Sequence, residues 1–559
     1  MLRFTCILIF SIVQKLTGVW CLLTFHAINF HAMASQTQIG VLRQQIISNF
    51  SFHGLTLKSD AANHLVDVLA PYAEDADINE IIDHIIDAVQ KQPLQSSIVT
   101  RETVEIAVEE CNQASDVDSE KAMVVIDAFD IPKFTYNADR KKFLPIAKES
   151  LKLHAGARAK ADVFRERYAL LHQRTMRHVL FTPPALGHSA QSTSKFQLRS
   201  VDFLLSSSGL PDKIIVLGML SQIKEGKYHL EDTTGCVELN LSNATFHMGL
   251  FVENSIVLAE GIYDDKIFHL SAVGFPPPEV ASDTQNYFGN TNFFGGPSAI
   301  CPKASVKLQA MLRENDDAML VFLSDVYLDD PRVMEKLSTL FAGYSDAPPT
   351  AFVFMGNFSA APYGPQRNQR LKASFKSLAD LILQYRSLAE ASQFFFVPGP
   401  NDLGHANILP NPGIPQVLVS DITSRIPTAQ FCSNPVRIQF CTREIVVFRD
   451  DIMNKLCRHC VKSLSELTDL PNLFTKTILS QAHLCPLPLH ARPIYWSHDH
   501  ALRLYPLPDL VVIGDKCDPF TISSMECTVT NVGSLAQTEF EFKVYVPASN
   551  QIEDSKITD

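Results

Sequence analysis

At 559 residues the chain is several times longer than a typical domain and has material for two or three separate cores. Its composition, 46% apolar and 19% charged with only 23 Gly, excludes a fibrous or largely disordered protein. A formal net charge of −12 excludes a protein that grips a phosphate backbone over its whole surface, and leaves local basic patches open.

Residues 1–32 read as an atypical N-terminal extension. They combine a charged start, the apolar run beginning MLRFTCILIF, and a small-x-small pattern at Ala32-Met33-Ala34, which imitates a signal peptide. Gln14 and Lys15 divide the apolar run into halves too short to cross a bilayer, so no membrane partner is expected and Met33 reads as the natural beginning. From 34 to 112 the chain reads as a helical domain. Ile78, Ile81, Ile82, Ile85, Ile86 and Val89 repeat at three and four, and Leu65, Val68 and Leu69, with Val104, Ile106 and Val108, mark neighbouring helices.

Residues 113–196 read as a basic linker region. Between Lys133 and Arg177 twelve Lys or Arg face four acids, a local +8, which is either a solvated face or a contact for DNA or an acidic partner. FTPPALGHSAQSTSK (181–195) reads as a connector. From 197 to 278 short β runs take over: 214–217, 227–230, a turn at Asp232-Thr233-Thr234-Gly235, then 237–241, 256–260 and 267–273. Five strands with polar turns suit a small barrel of the OB type, in which Tyr228, Phe246 and Phe251 are the few aromatics that could stack on bases.

Beyond a Pro-rich exit, 285–559 alternates apolar strands with helical segments. The strands are MLVFLSDVYL, TAFVFMGNF, FFFVPGPND, EIVVFRDD and DLVVIGD, and the pattern is that of a layered α/β domain whose functional loops follow strand ends. The whole is an α+β multidomain chain. Its twelve Cys are scattered through apolar runs and read as reduced intracellular thiols; Cys457-Arg458-His459-Cys460 has no second ligand pair nearby and reads as structural rather than zinc-binding.

Three of the strand ends carry the chemistry. LSDVY, FMGNF and PGPND resemble, in order and spacing, the Asp-x-His, Gly-Asp-x-x-Asp and Gly-Asn-His-Asp/Glu motifs of calcineurin-like phosphoesterases, which hold two divalent metals that activate a water. The ligand set is broken: Asp325 stands, but Tyr327 replaces the His, Asn357 the Asp and Ala360 its partner. Pro400 and Asn401 replace the Asn and His, leaving Asp402. No His lies between His405 and His459, and the closing Gly-His-x-His is matched at best by Ala482-His483-Leu484-Cys485.

A helical module, an OB-like barrel and a phosphoesterase-like domain without its metal ligands resemble the B subunits of the eukaryotic replicative DNA polymerases, and among them the epsilon branch. Specific stretches carry the likeness from Met33 onward, among them FHGLTLKSDA, FDIPKFTYN, FRERYALLHQRT, GKYHLEDTTG, FGNTNFFGGPS, FMGNFSAAPYG and LRLYPLPDLVVIGDKCDPF. The resemblance implies a nuclear accessory subunit with no catalytic residue, no bound metal and no cofactor. Implied partners are the catalytic subunit of DNA polymerase epsilon through its C-terminal zinc-bearing region, the small histone-fold subunits, the replicative helicase assembly through the N-terminal domain, and DNA in the context of the complex. The competing readings are an active metallophosphoesterase, which the ligand inventory opposes, a freestanding single-strand binder, which the net charge opposes, and a B subunit of polymerase alpha or delta.

Overall fold

The computed structural model of the protein describes residues 40–70, 78–91, 97–115, 122–182, 196–207, 210–361, 364, 366–402, 407–461 and 468–558; the extension 1–32, most of the 181–195 connector and His405 lie outside them. The chain divides into two compact units, one ending at Ser119 and one beginning at Glu120.

In the first unit the helices 40–52, Ser59–Leu69, Ile78–Lys91 and Arg101–Ser115 pack around a two-residue parallel ladder joining Thr56–Leu57 to Ile98–Val99. The isoleucine repeat puts Ile78, Ile82, Ile85, Ile86 and Val89 on one buried face, against Leu42, Ile46, Phe50, Leu65 and Leu69. Val104 and Val108 join them, but Ile106 does not and is 49% exposed. It stands two positions from each, roughly 200° around the helix.

The second unit opens with a surprise. Over its described residues 122–182 the segment read as a linker carries regular elements: Met123–Asp127 is a strand, Lys133–Asn137 and Lys142–Ile146 form a hairpin, and Ala157–Arg177 is a helix. Charge counting failed here because two of the neutralising acids, Asp499 and Glu279, lie far outside the counted stretch. Lys133 pairs with Glu166 at 2.9 Å, Arg167 with the buried Asp499 at 2.6 Å, and Arg177 grips Glu279 through two bonds of 2.6 and 2.8 Å. Arg174 is buried against the backbone carbonyls of Ser480 and Pro276, and burial pushes its guanidinium down to about 10. The outward cations, Arg140, Lys141, Lys142, Lys152, Arg158, Lys160 and Arg165, remain exposed.

The barrel that follows has longer strands than the sequence pattern suggested. The run at 214–217 is the middle of one strand, Leu210–Lys224, which pairs with Ile256–Asp264 along its first part and with Lys227–Glu231 along its last, bending at an irregularity after Ser221. Cys236–Asn240 and Ile267–Gly274 pair in parallel and close the barrel. The 232–235 turn forms as expected, with the Asp232 carboxylate accepting the Thr234 and Gly235 amides at 2.7 and 3.0 Å. Phe251 is not available to a base: it is fully buried and stacks on Phe275 at 4.2 Å.

Two six-stranded sheets form the remaining domain. Their strands are β1 (Met123–Asp127), β2 (Leu320–Ser324), β3 (Ala351–Met355), β4 (Gln393–Val397), β5 (Ala429–Phe431), β6 (Val436–Phe440), β7 (Arg443–Arg449), β8 (Leu510–Gly514), β9 (Phe520–Ser524), β10 (Cys527–Asn531), β11 (Glu541–Val546) and β12 (Gln551–Lys556). The first sheet runs β5-β4-β3-β2-β11-β12 and the second β9-β10-β8-β7-β6-β1. Side chains alternate along each strand. Leu320, Phe322, Val353, Met355 and Phe395 point between the sheets and meet Ile438, Ile445, Val447, Leu510 and Val512. Val321, Leu323, Phe352, Phe354, Phe394 and Phe396 point outward beneath helices Pro331–Tyr344, Arg367–Ile382 and Gln416–Arg425. Helix Leu470–Gln481 covers the second sheet through Phe474 and Ile478. Burial on both faces explains why these strands read as continuous apolar runs.

Barrel and sandwich are joined by polar side chains that imitate backbone. The Gln481 amide accepts from the Ile256 N–H at 2.9 Å and donates to the Ile256 carbonyl at 2.8 Å, and Thr477 accepts from the Leu250 N–H at 2.9 Å.

Arg167→Met removes one partner of a buried pair and should cost about 3–5 kcal/mol. Arg158→Ala, on the same helix with its side chain 90% exposed, should cost less than about 0.5 kcal/mol. Urea unfolding of the two variants checks the contrast.

Candidate functional site

β2, β3 and β4 are parallel, as are β7 and β8 in the other sheet. Their C-terminal ends converge, and the loops leaving them carry the polar residues. Two glycines permit the approach. A Cβ on Gly356, after β3, would lie 1.9 Å from the Asp402 carboxylate, and one on Gly514, closing β8, would lie 2.4 Å from the Ser324 hydroxyl.

Asp325 leaves β2 fully buried, in the left-handed region at φ 54°. One of its oxygens accepts from the Arg449 guanidinium at 2.6 Å and from the backbone and side-chain amides of Asn357 at 3.1 Å each. The second Asp325 oxygen and the Ser534 hydroxyl are buried without a hydrogen-bond partner among the described residues. Burial would push Asp325 up, but the Arg449 charge and the hydrogen bonds to its first oxygen outweigh it and hold the group below the usual carboxylate range. Tyr327 is driven up, first by burial and then by the Asp325 charge.

Arg449 ends β7 and is wholly enclosed. Its Nε donates to the Gly356 carbonyl at 2.5 Å, and Nη1 to the Gly514 carbonyl at 2.8 Å and to Asp451 at 2.9 Å. Burial disfavours the charge, yet Asp325 and Asp451 together keep the guanidinium more firmly protonated than a free one.

The third strand end is self-contained. Asp402 accepts the Phe358 and Gly399 amides at 2.9 and 2.8 Å, and burial raises its carboxyl to about 6 despite them. The Asn401 amide donates to the Asn357 side-chain oxygen at 2.8 Å, tying the second loop to the third.

Asp325, Tyr327, Asn357, Asn401 and Asp402 are therefore brought together. Pro400 is half-buried and has no N–H to give. Ala360 is exposed, with its amide donating to Asp329 at 2.7 Å. His483 does not belong to the cluster. It lies just beyond helix Leu470–Gln481, where its Nδ1 accepts the Cys485 amide at 3.0 Å and its Nε2 faces Asp499 at 3.3 Å and Arg167 at 3.1 Å. The element closing the site is the end of β8, Gly514-Asp515-Lys516-Cys517. Spacing suggested His483 because it sits in a ligand-like tetrapeptide, whereas position in the sheet decides. The sequence reading also missed Arg449 and Asp451, and the signal was present: FRDD follows an apolar strand as the other site loops do.

Divalent metals of hydrolytic sites need several carboxylate, imidazole or other hard ligands around one centre. Among the described residues no group of three or more His, Cys, Asp or Glu is placed to hold a metal ion. The donors at the strand ends do not fit one: the Asp325 and Asp451 carboxylates and the Gly356 and Gly514 carbonyls are taken up by the fixed positive charge of Arg449.

The helical unit, the closed barrel and the layered α/β domain are each matched by a DNA polymerase B-subunit family. The family described as the B subunit of DNA polymerase alpha/epsilon matches residues 320–522, "DNA polymerase epsilon subunit 2-like, OB-fold domain" matches 157–277, and "DNA polymerases epsilon N terminal" matches 39–111. Curated relatives named DNA polymerase epsilon subunit 2 include the Bos taurus protein, 50% identical over 520 residues (92% of this chain, 98% of that protein), and the Drosophila melanogaster protein, 40% identical over 522 residues (93% and 98%). A Caenorhabditis elegans protein named probable DNA polymerase epsilon subunit 2 is 35% identical over 529 residues (94% and 96%). The chain belongs to the DNA polymerase epsilon subunit 2 family.

Acid should loosen the fold through His483, whose imidazole is pushed down to about 4 by burial and then by Arg167. With the folded value below the unfolded one of about 6.5, the unfolded chain takes up the proton first as pH falls. The contribution of His483, roughly 3 kcal/mol, is therefore complete above pH 6.5 and lost between about 6.5 and 4. Asp402, raised to about 6, shifts stability the opposite way over the same range in both proteins, so the check is the difference: the urea midpoint of the wild type should fall relative to that of His483→Asn between about pH 6.5 and 4.

Proposed function

We propose that the chain works as the non-catalytic B subunit of a nuclear DNA polymerase epsilon complex and that its phosphoesterase-like site performs no hydrolysis. The observation that carries this reading is the buried Arg449–Asp325 pair. The carboxylate that would anchor a metal is engaged by three protein N–H groups, and the guanidinium repels a divalent cation from the same space.

The family supplies the rest of the proposal. The barrel and sandwich hold the zinc-bearing C-terminal region of the catalytic subunit, in a complex that also contains small histone-fold subunits. The N-terminal helical unit reaches the replicative helicase assembly, and DNA is met within the complex. Among the described residues no helix is long and apolar enough to cross a membrane.

Two experiments test this reading. The purified chain should hydrolyse neither phosphomonoesters nor DNA with magnesium or manganese present, and Asp325→Ala should lower stability while leaving the polymerase rate of the assembled complex unchanged. Metal-dependent hydrolysis that disappears in that variant would move the chain into the enzyme class. Deleting residues 34–112 should preserve co-purification with the catalytic subunit and weaken capture of the helicase; losing the catalytic subunit instead would refute the division of labour.

A further inference from the structure

The strand-end cluster is arranged around the shape of a guanidinium. Arg449 uses four N–H donors, and its acceptors come from four places: Asp325 after β2, the Gly356 carbonyl after β3, the Gly514 carbonyl at the end of β8, and Asp451 after β7. Asp325 meets Nη2, the Gly356 carbonyl meets Nε, and the Gly514 carbonyl and Asp451 share Nη1. The acceptors are thus distributed around a planar fork rather than gathered on one centre. The stem is fitted as closely, since a Cβ on Gly514 would stand 2.8 Å from the Arg449 Cδ. With the side chain removed, two carboxylates and two carbonyls would face a cavity with no cation between them.

We propose that the cluster is a guanidinium-binding site which the chain fills with its own Arg449, so that this side chain fastens the strand ends of the two sheets together, and that emptying it uncovers a site selective for a small free guanidinium cation. The inference rests on the reading that no metal is held there. Selectivity follows from the acceptors: a hard octahedral cation such as magnesium or manganese needs about six oxygen ligands converging on it, and the cluster offers acceptors spaced for separate N–H groups.

The test follows the melting temperature of the full-length chain and its Arg449→Ala variant while methylguanidinium chloride is raised through the millimolar range, with manganese chloride and sodium chloride run in parallel. Arg449→Ala should melt about 3 to 5 °C below the wild type. Methylguanidinium should return part of that loss saturably, manganese and sodium should not, and neither the wild type nor Arg449→Ala/Asp325→Asn should respond. An undiminished melting temperature, a response shared by the double variant, or a response to manganese alone would overturn the proposal. If Arg449→Ala yields no soluble protein, Arg449→Lys decides: it keeps the charge but cannot reach all four acceptors, so melting with the wild type would overturn the idea and melting several degrees lower would support it. A phosphodiesterase assay on the same wild-type preparation separates the two readings, because hydrolysis would defeat the functional one and unaltered melting of the variants would defeat this one.

Discussion

A carboxylate buried between two sheets must be neutralised from within the protein, and for Asp325 that demand is met across the sandwich by Arg449. Because the two residues end strands in different sheets, satisfying the charge also fixes how the sheets abut. Gly514 must lack a side chain for β8 to come close enough, Gly356 must lack one for the Asp402 carboxylate to fit, and the loops after β3 and β4 are drawn into the same set of hydrogen bonds through Asn357 and Asn401. Such a pair adds little when compared with an apolar replacement of both partners, but it penalises heavily any arrangement that separates them. It is better understood as specifying one geometry than as adding stability.

The same device recurs elsewhere in the second unit. Asp450 is buried against Arg492 and Lys455, and Asp499 against Arg167, with Arg503 and His483 beside it. Each set joins segments far apart in sequence, which suits a protein whose barrel and sandwich behave as one body. The seam relies on directed groups, the Gln481 amide on Ile256 and Arg174 on the Ser480 carbonyl, as well as on packing. A seam built of such groups has one register, while an oily one tolerates sliding.

Much of this was legible in the sequence, and for definite reasons. The isoleucine repeat of Ile78–Lys91 is set by helix periodicity, the apolar runs of β2, β3 and β4 by burial on both faces, and the 232–235 turn by Asp chemistry within four residues. All depend on near neighbours. The folded stretch 122–182 was illegible because its inward cations Lys133, Arg167 and Arg177 are neutralised by Glu166, Asp499 and Glu279, and two of these acids lie about a hundred or more residues beyond them. The site was half legible. Strand-end motifs located Asp325, Asn357 and Asp402, and FRDD after an apolar strand offered the same kind of signal for Arg449, but the order of strands across the second sheet is what brings Arg449 into the cluster and leaves His483 in a separate charge network.

The placement of β1 sets a constraint on synthesis. Residues 123–127 emerge early, yet their hydrogen-bonding partner is β6, at 436–440. At about 5–20 residues per second the ribosome needs tens of seconds to make the roughly 300 residues between them. Throughout that interval a short apolar strand, Met-Val-Val-Ile-Asp, has exposed backbone donors and acceptors and no edge to join. The second sheet can therefore be completed only near the end of translation, when β8, β9 and β10 have also emerged.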